Sequence, residues 1–305
     1  MAGYLTLRVL RAAIVVLGVS TAVFVILHLS GDPAALMISP ESDRSDYERL
    51  RTHLGLDKPI LVQYWGFLVR LSMGDFGESF QYGQPALSLV LERVPATLQL
   101  TTTALLISLG VAVPLGIVSA VRRNSILDYT VSSLTLVGQA VPNFWLGIML
   151  ILVFAVELHW LPTSGREHLR ALVLPAATLA LHPLSKFTRL TRSEILDVLG
   201  TDYVRTARAK GLAERAVLFR HALKNAAIAL VTLIGLDLGY LLGGAVITET
   251  VFAWPGIGRL AVNAIFQRDF PIVQAFVFFV SVVVVGVNLL VDMVYSILDP
   301  RIRLA

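Results

Sequence analysis

The side chains that could do covalent chemistry are few and stand apart. Six histidines (His28, His53, His159, His168, His182 and His221) are scattered along the chain without metal-ligand spacing. Cysteine is absent, which excludes a thiol nucleophile, a disulfide and a thiolate metal site. No His-Glu-x-x-His, Gly-x-Ser-x-Gly or helix-opening Gly-x-Gly-x-x-Gly occurs. Asp75-Phe76-Gly77 has no accompanying kinase element and reads as a turn. None of the four lysines (Lys58, Lys186, Lys210 and Lys224) follows a glycine, so there is no Gly-Lys-Ser/Thr phosphate cradle. An ATP-driven process would therefore need its nucleotide on another chain, and this chain would need a surface to hold that partner.

The residues with a physical case for function lie within or between apolar runs. Asp237 interrupts the run 226–248. An acid inside a membrane span is costly to bury and marks a functional hypothesis. Either it borders a water-filled translocation path, where it would touch a cationic or zwitterionic solute, or it pairs with a basic residue of a partner. Gly235, Gly239 and Gly243 recur every four residues, a spacing that lets helix backbones approach closely in lipid. They pack within the chain or against a second membrane chain. Asp292, near the inner end of the last run, reads as structural.

The positioning elements follow from composition. Of 305 residues, 56% are apolar and 15% charged, with a mean hydropathy of +0.74, whereas soluble domains carry about 25% charged residues. The apolar residues come in blocks, and about 20 in a row cross the hydrocarbon core as a helix. The blocks predict six spans: 12–29, 97–121, 129–156, 171–190, 226–248 and 272–291. The third contains Gly138 and Pro142; the fourth contains Pro175, Pro183, Lys186 and Arg189. The first is too long for a signal-peptide core and lacks a following Ala-x-Ala site, so it reads as an uncleaved span. Residues 30–96 read as a small ordered subdomain with a helix near Ile60–Leu71. The expected organisation is residues 1–29 as the N-terminal end and first span, 30–96 as the subdomain, and 97–305 as the transmembrane core. With both termini cytoplasmic, the inner segments carry 15 Lys and Arg against 10 outside, while acidic residues number 6 inside and 13 outside. That asymmetry fixes the orientation and puts the 30–96 subdomain outside the cell. The fold class is thus an all-α integral membrane protein with six transmembrane helices.

Residues 186–224 hold nine of the inner basic residues, and about 190–225 forms the cytoplasmic loop. At its centre, Val204, Ala207 and Leu212 fall near one helical face, with Arg205, Arg208 and Lys210 away from it. Gly211 supplies a break, and a second helix over 213–225 would return to the bilayer. Two short helices with small residues at the corner suit insertion into a partner's groove. A solvated basic loop and an interfacial helix on anionic lipid are the competing readings.

The run Tyr203-Val204-Arg205-Thr206-Ala207-Arg208-Ala209-Lys210-Gly211-Leu212, followed by Arg220-His221-Ala222-Leu223-Lys224-Asn225-Ala226, resembles the cytoplasmic loop of ABC importer permeases of the dipeptide/oligopeptide/nickel branch, which includes glutathione permeases. Further similarity lies in Leu29-Ser30-Gly31-Asp32-Pro33, where Ser30 replaces the family's usual proline, and in Gly74-Asp75-Phe76-Gly77. Glu249-Thr250-Val251-Phe252-Ala253-Trp254-Pro255-Gly256-Ile257-Gly258, Asn288-Leu289-Leu290-Val291-Asp292 and Asp299-Pro300-Arg301 complete the series. Ala207 and Gly211 match the wider superfamily's docking motif; Arg205, Thr206, His221 and Lys224 depart from it in the manner of the peptide branch. The resemblance implies a non-catalytic permease subunit of a bacterial or archaeal cytoplasmic membrane, with Ala207 and Gly211 at the corner of a coupling helix. It also implies a second homologous permease, two ATPase subunits that bind the ATP and Mg, and an extracytoplasmic solute-binding protein that the 30–96 subdomain helps to receive. No cofactor on this chain and no nucleic-acid partner are expected. An ion-coupled secondary transporter or channel acting alone is the alternative; the sequence lacks the inverted halves and paired broken helices expected of one.

Overall fold

A computed structural model describes residues 2–29, 31, 34–37, 43–53 and 55–298. Ser30, Asp32, Pro33 and Asp299-Pro300-Arg301 lie outside the described residues. The described chain is mostly helical: α1 Ala2–Leu29, α2 Ala34–Met37, α3 Arg44–His53, α4 Ile60–Ser72, α5 Ala86–Val121, α6 Ile126–Ala140 and α7 Asn143–Leu150. A π-helical turn, Ile151–Glu157, and a 3-10 turn, Leu169–Leu172, lead to α8 Val173–Leu199, α9 Asp202–Ala209 and α10 Glu214–Ala216. A second π-helical turn, Val217–Ala222, opens into α11 Leu223–Val251, followed by α12 Ile257–Phe266 and α13 Phe270–Leu298. Among the described residues, three stretches are long and apolar enough to cross a membrane (Ala86–Val121, Ala229–Val251 and Phe270–Val291), and the bent pair α6 and Asn143–Glu157 makes a fourth if counted as one span.

That bend corrects the expectation of one continuous helix over 129–156. The two halves meet at 103°. Pro142 has no N–H to donate, and it forces Val141 into extended geometry (φ −72°, ψ 123°), where helix cannot continue. Pro183, by contrast, stays inside α8. It removes one intrahelical bond, and next to the freed carbonyl Ser108 Oγ donates to Ala180 O at 2.9 Å, so α5 supplies a donor at the break. The short apolar helix α12, between the fifth and sixth runs, was not expected from the sequence.

The chain divides into two compact units. One comprises the described residues of 1–96 and 255–286. Its core gathers Phe24, Phe67, Leu71, Phe76, Leu260 and Ile272. Polar ties run between its helices: His28 Nε2 lies 2.9 Å from Gln63 Oε1, and Thr21 Oγ1 2.8 Å from Tyr64 Oη. Asp269, buried between α12 and α13, accepts from Ser79 Oγ at 2.5 Å and from Gln81 N at 3.2 Å.

The other unit comprises the described residues of 97–254 and 287–303 and is organised around α8, which packs along α11, α6 and α7. Small residues set the approach distances. A Cβ on Gly116 would sit 2.6 Å from Thr191 Cβ and 2.8 Å from the Thr188 carbonyl, so α5 and α8 nearly touch. A Cβ on Gly138 would collide with Ser185 Oγ, which fixes α6 against α8 in the same way.

Candidate functional site: a charged helix face and an exposed corner

Three polar groupings lie on or beside α8. The first ties the ends of α5, α6 and α8. Ser125 caps α6 by accepting from Asp128 N, which places the Asp128 side chain in the first turn. Asp128 is 2% exposed and fully answered: it accepts from Ser119 Oγ at 2.5 Å, Asn124 N at 3.0 Å, Arg192 Nε at 2.6 Å and Arg192 Nη2 at 2.8 Å. The guanidinium meets the carboxylate with both prongs, the strongest ion-pair geometry available to these groups. Neither residue was singled out from sequence. The signal available was Arg192 just past an apolar run and Asp128 just before one, where charges must pair or reach water.

The second grouping answers Asp237. Lys186 Nζ on α8 donates to Asp237 Oδ1 on α11 at 2.9 Å. The Asp237 side chain is 4% exposed and that of Lys186 is 32% exposed. Nζ also lies 4.9 Å from the Tyr240 ring centroid, a cation–π distance. The other face of this small cluster is aromatic, with the His182 ring stacked on Tyr240 at 4.6 Å. The partner of Asp237 is therefore in its own chain.

Of the glycine series, Gly235 packs inside the chain, where a Cβ would strike Val291 of α13. Gly239 and Gly243 are exposed, and a Cβ at either meets nothing within 4 Å.

The third grouping is the corner Tyr203–Leu212. Helix α9 is amphipathic: Val204 (0% exposed) and Ala207 (8%) turn inward against Val217, Val198 and Leu199. Tyr203, Arg205, Thr206, Arg208, Ala209, Lys210, Gly211 and Leu212 are exposed. Gly211 ends the helix with φ +76°, its N–H donating to Arg208 O, and Leu212 N donates to Ala207 O. A left-handed residue at this position is the usual helix stop, and glycine takes it without Cβ strain. Past the corner, Arg208 clasps Glu214 through Nε–Oε2 (3.1 Å) and Nη2–Oε1 (2.5 Å). That hydrogen-bonded guanidinium holds the Glu214 carboxyl below its ordinary value. A partner seated here would meet the exposed residues, while Val204 and Ala207 hold the corner to the rest of the unit.

The fold defines the class. Over 69% of its length the chain overlays 96% of a chain from the MetNI methionine ABC transporter in inward-facing form, with a TM-score of 0.60 at 19% identity. An amino acid ABC transporter chain overlays at a TM-score of 0.51 and 15% identity, covering 68% of this chain and 92% of that one. The fold is that of a membrane subunit of an ABC transporter.

The family is equally definite. Residues 112–304 match the binding-protein-dependent transport system inner membrane component, and residues 1–101 match the N-terminal region of the same kind of component. The chain belongs to that family. The oligopeptide transport system permease protein AppB of Bacillus subtilis is 41% identical over 99% of this chain and 100% of its own length. The glutathione transport system permease protein GsiC of Salmonella typhi is 40% identical over 99% of both chains. This is a permease subunit of an ABC importer, a non-catalytic membrane component that works with a separate ATPase.

Proposed function

We propose that this chain forms half of the translocation path for peptides or similar small solutes of the dipeptide, oligopeptide or glutathione type. The observation that carries the reading is end-to-end similarity to permeases named for oligopeptides and glutathione. It acts in a bacterial or archaeal cytoplasmic membrane with six spans and both termini inside. The 30–96 segment lies outside the cell and helps receive a solute-binding protein. A second homologous permease completes the path, and two ATPase subunits bind the ATP and Mg.

The joint to the ATPase is the corner Tyr203–Leu212. Its support is physical: a short amphipathic helix whose inner face is packed, whose outer face is exposed, and whose end is fixed by a left-handed glycine and an ion-pair clasp. Closure of the ATPase pair pushes on this corner, and α8 and α11, which flank it in sequence, carry the motion into the membrane. Gly239 and Gly243 offer an open, small-residue face to the second permease, and the path passes the Asp237–Lys186 pair.

The test is Gly211→Trp. A large side chain at the exposed corner should leave membrane insertion intact while abolishing ATPase association and uptake. Normal uptake by this variant would refute the docking role.

A further inference from the structure

Asp237 is not the residue a solute meets. Its carboxylate is buried, its Oδ1 is held by Lys186, and its Oδ2 is buried without a hydrogen-bond partner among the described residues. What the chain presents outward beside it is positive. His182, Lys186 and Arg189 stand four and three residues apart along α8, which places all three on one face. His182 and Lys186 are partly exposed and Arg189 is exposed. Arg189 Nη1 donates to the neutral Gln139 Oε1 at 3.0 Å, and no carboxylate among the described residues lies within ion-pair distance of it. The face therefore carries two cations against a single, buried anion.

Depth decides what this face can look at. Asp237 lies eight residues into the apolar stretch Ala229–Val251, about 12 Å along the helix axis. Lys186 is at the same depth, because it touches Asp237. A partly exposed ammonium at that depth does not face hydrocarbon; such groups face a water-filled cavity or a protein partner. An ammonium has three donors. One goes to Asp237, the Tyr240 ring covers another side, and the rest of the group is open.

We infer that the Lys186–Arg189 face of α8 is a carboxylate-binding subsite in the translocation path. It takes the anionic end of a passing solute such as a peptide's free C-terminus. Asp237 is a positioning residue that aims Lys186, Gln139 steadies Arg189, and Tyr240 supplies an aromatic wall. Two cations a helical turn apart attract a carboxylate but hold it only by exposed, hydrated groups, which suits a site that must also release. The inference rests on the reading of this chain as a peptide-importer permease.

The experiment uses the complete importer with its binding protein in proteoliposomes, uptake being normalised to assembled complex. The probes are trialanine and trialanine amide, which differ in the terminal carboxylate. The binding protein is common to all preparations, so its own preference cancels when the trialanine-to-amide uptake ratio is compared between variants. Arg189→Gln and the charge-neutral double variant Lys186→Met/Asp237→Leu should each lower that ratio about tenfold, the cost of one hydrogen bond to a charged group. Arg189→Lys should retain most of it. Asp237→Glu, which keeps the anion that aims Lys186, should retain the ratio better than the double variant. An unchanged ratio, or equal loss of both probes as expected for cations that serve only to anchor α8 at the lipid interface, would overturn the subsite. Failure of the unmodified importer to take up either probe, and equally dialanine, a longer alanine peptide and glutathione offered beside them, would instead refute the peptide reading beneath it.

Discussion

Lys186 Nζ sits 2.9 Å from Asp237 Oδ1, so these two charges neutralise each other between α8 and α11. These are the helices that flank the Tyr203–Leu212 corner in sequence. The pair thus serves two purposes at once: it makes an acid tolerable in an apolar helix, and it ties together the two elements that would carry motion from the corner.

Removing one member should be worse than removing both. Asp237→Leu leaves an unpaired ammonium and should destabilise the subunit by about 3 kcal/mol, whereas replacing both partners by apolar residues recovers most of that loss. Thermal unfolding of the purified subunit in detergent measures the difference. Equal destabilisation by the single and double variants would show that the pair is not coupled.

The Asp128 anchor should be the most sensitive polar site in its unit. Asp128→Ala strips Arg192 of its carboxylate and should cost about 3–5 kcal/mol. Ser119→Ala removes one of the four bonds to Asp128 and should cost about 1 kcal/mol. Denaturation of the two variants side by side tests the ranking.

Glycines of similar appearance should part company. Gly116→Ala meets the fixed Thr188 carbonyl and should cost several kcal/mol by overpacking, on the order of 1–3. Gly239→Ala meets nothing within 4 Å and should leave the subunit's own stability unchanged. If Gly239 lines the contact with a second permease, the same change weakens co-purification of that partner, read by quantitative pull-down.

The geometry of the corner itself should respond to substitutions at Gly211 according to backbone preference alone. No atom lies within 4 Å of a Cβ there, so Gly211→Ala carries only the left-handed strain, about 1 kcal/mol, and Gly211→Asn carries less. Nitroxide labels at Tyr203 and Leu212 report the corner's geometry, and a distance distribution broadened equally by Ala and Asn would contradict this.

The Arg208–Glu214 clasp should be insensitive to pH across the neutral range and open only in acid. The folded carboxyl is held below its ordinary value, so its contribution is complete above the unfolded value and is lost as pH falls through the lower folded one. The same label pair should therefore read one distance from pH 8 down to about 5, then lengthen toward the Glu214→Gln distance below the usual carboxylate range. Both groups are near half exposed, so salt should weaken the clasp as well. A distance that shifts between pH 8 and 6 would point to another titrating group.

Helix positions were legible because hydrophobic run length is a one-dimensional property. The run expected at 226–248 is α11, 223–251, and the run at 272–291 lies within α13. The helix expected at Ile60–Leu71 is α4, Ile60–Ser72. The break at Val141–Pro142 was readable in principle from the proline, but its 103° angle was not, since proline also stays within α8 at Pro183. Which outcome follows depends on whether a neighbour such as Ser108 supplies a donor beside the freed backbone, and that is a fact about packing. The corner was legible as an amphipathic segment ending in glycine, yet Leu212 is exposed while Val204 and Ala207 are buried, so the inward face is narrower than the spacing suggested.

By itself the sequence determined the solvent, the helices and the family resemblance, because each is written in local composition or in motifs that survive without coordinates. Tertiary structure alone decided the partners. That Asp237 answers Lys186 fifty-one residues away, that Asp128 answers Arg192, and that Gly235 packs on Val291 while Gly239 stands open are outcomes of helix rotation and approach. A charge or a glycine on a helix has a fixed face but no fixed neighbour. The neighbour is chosen only when the helices pack and each buried charge must find its counterpart or leave the fold unstable.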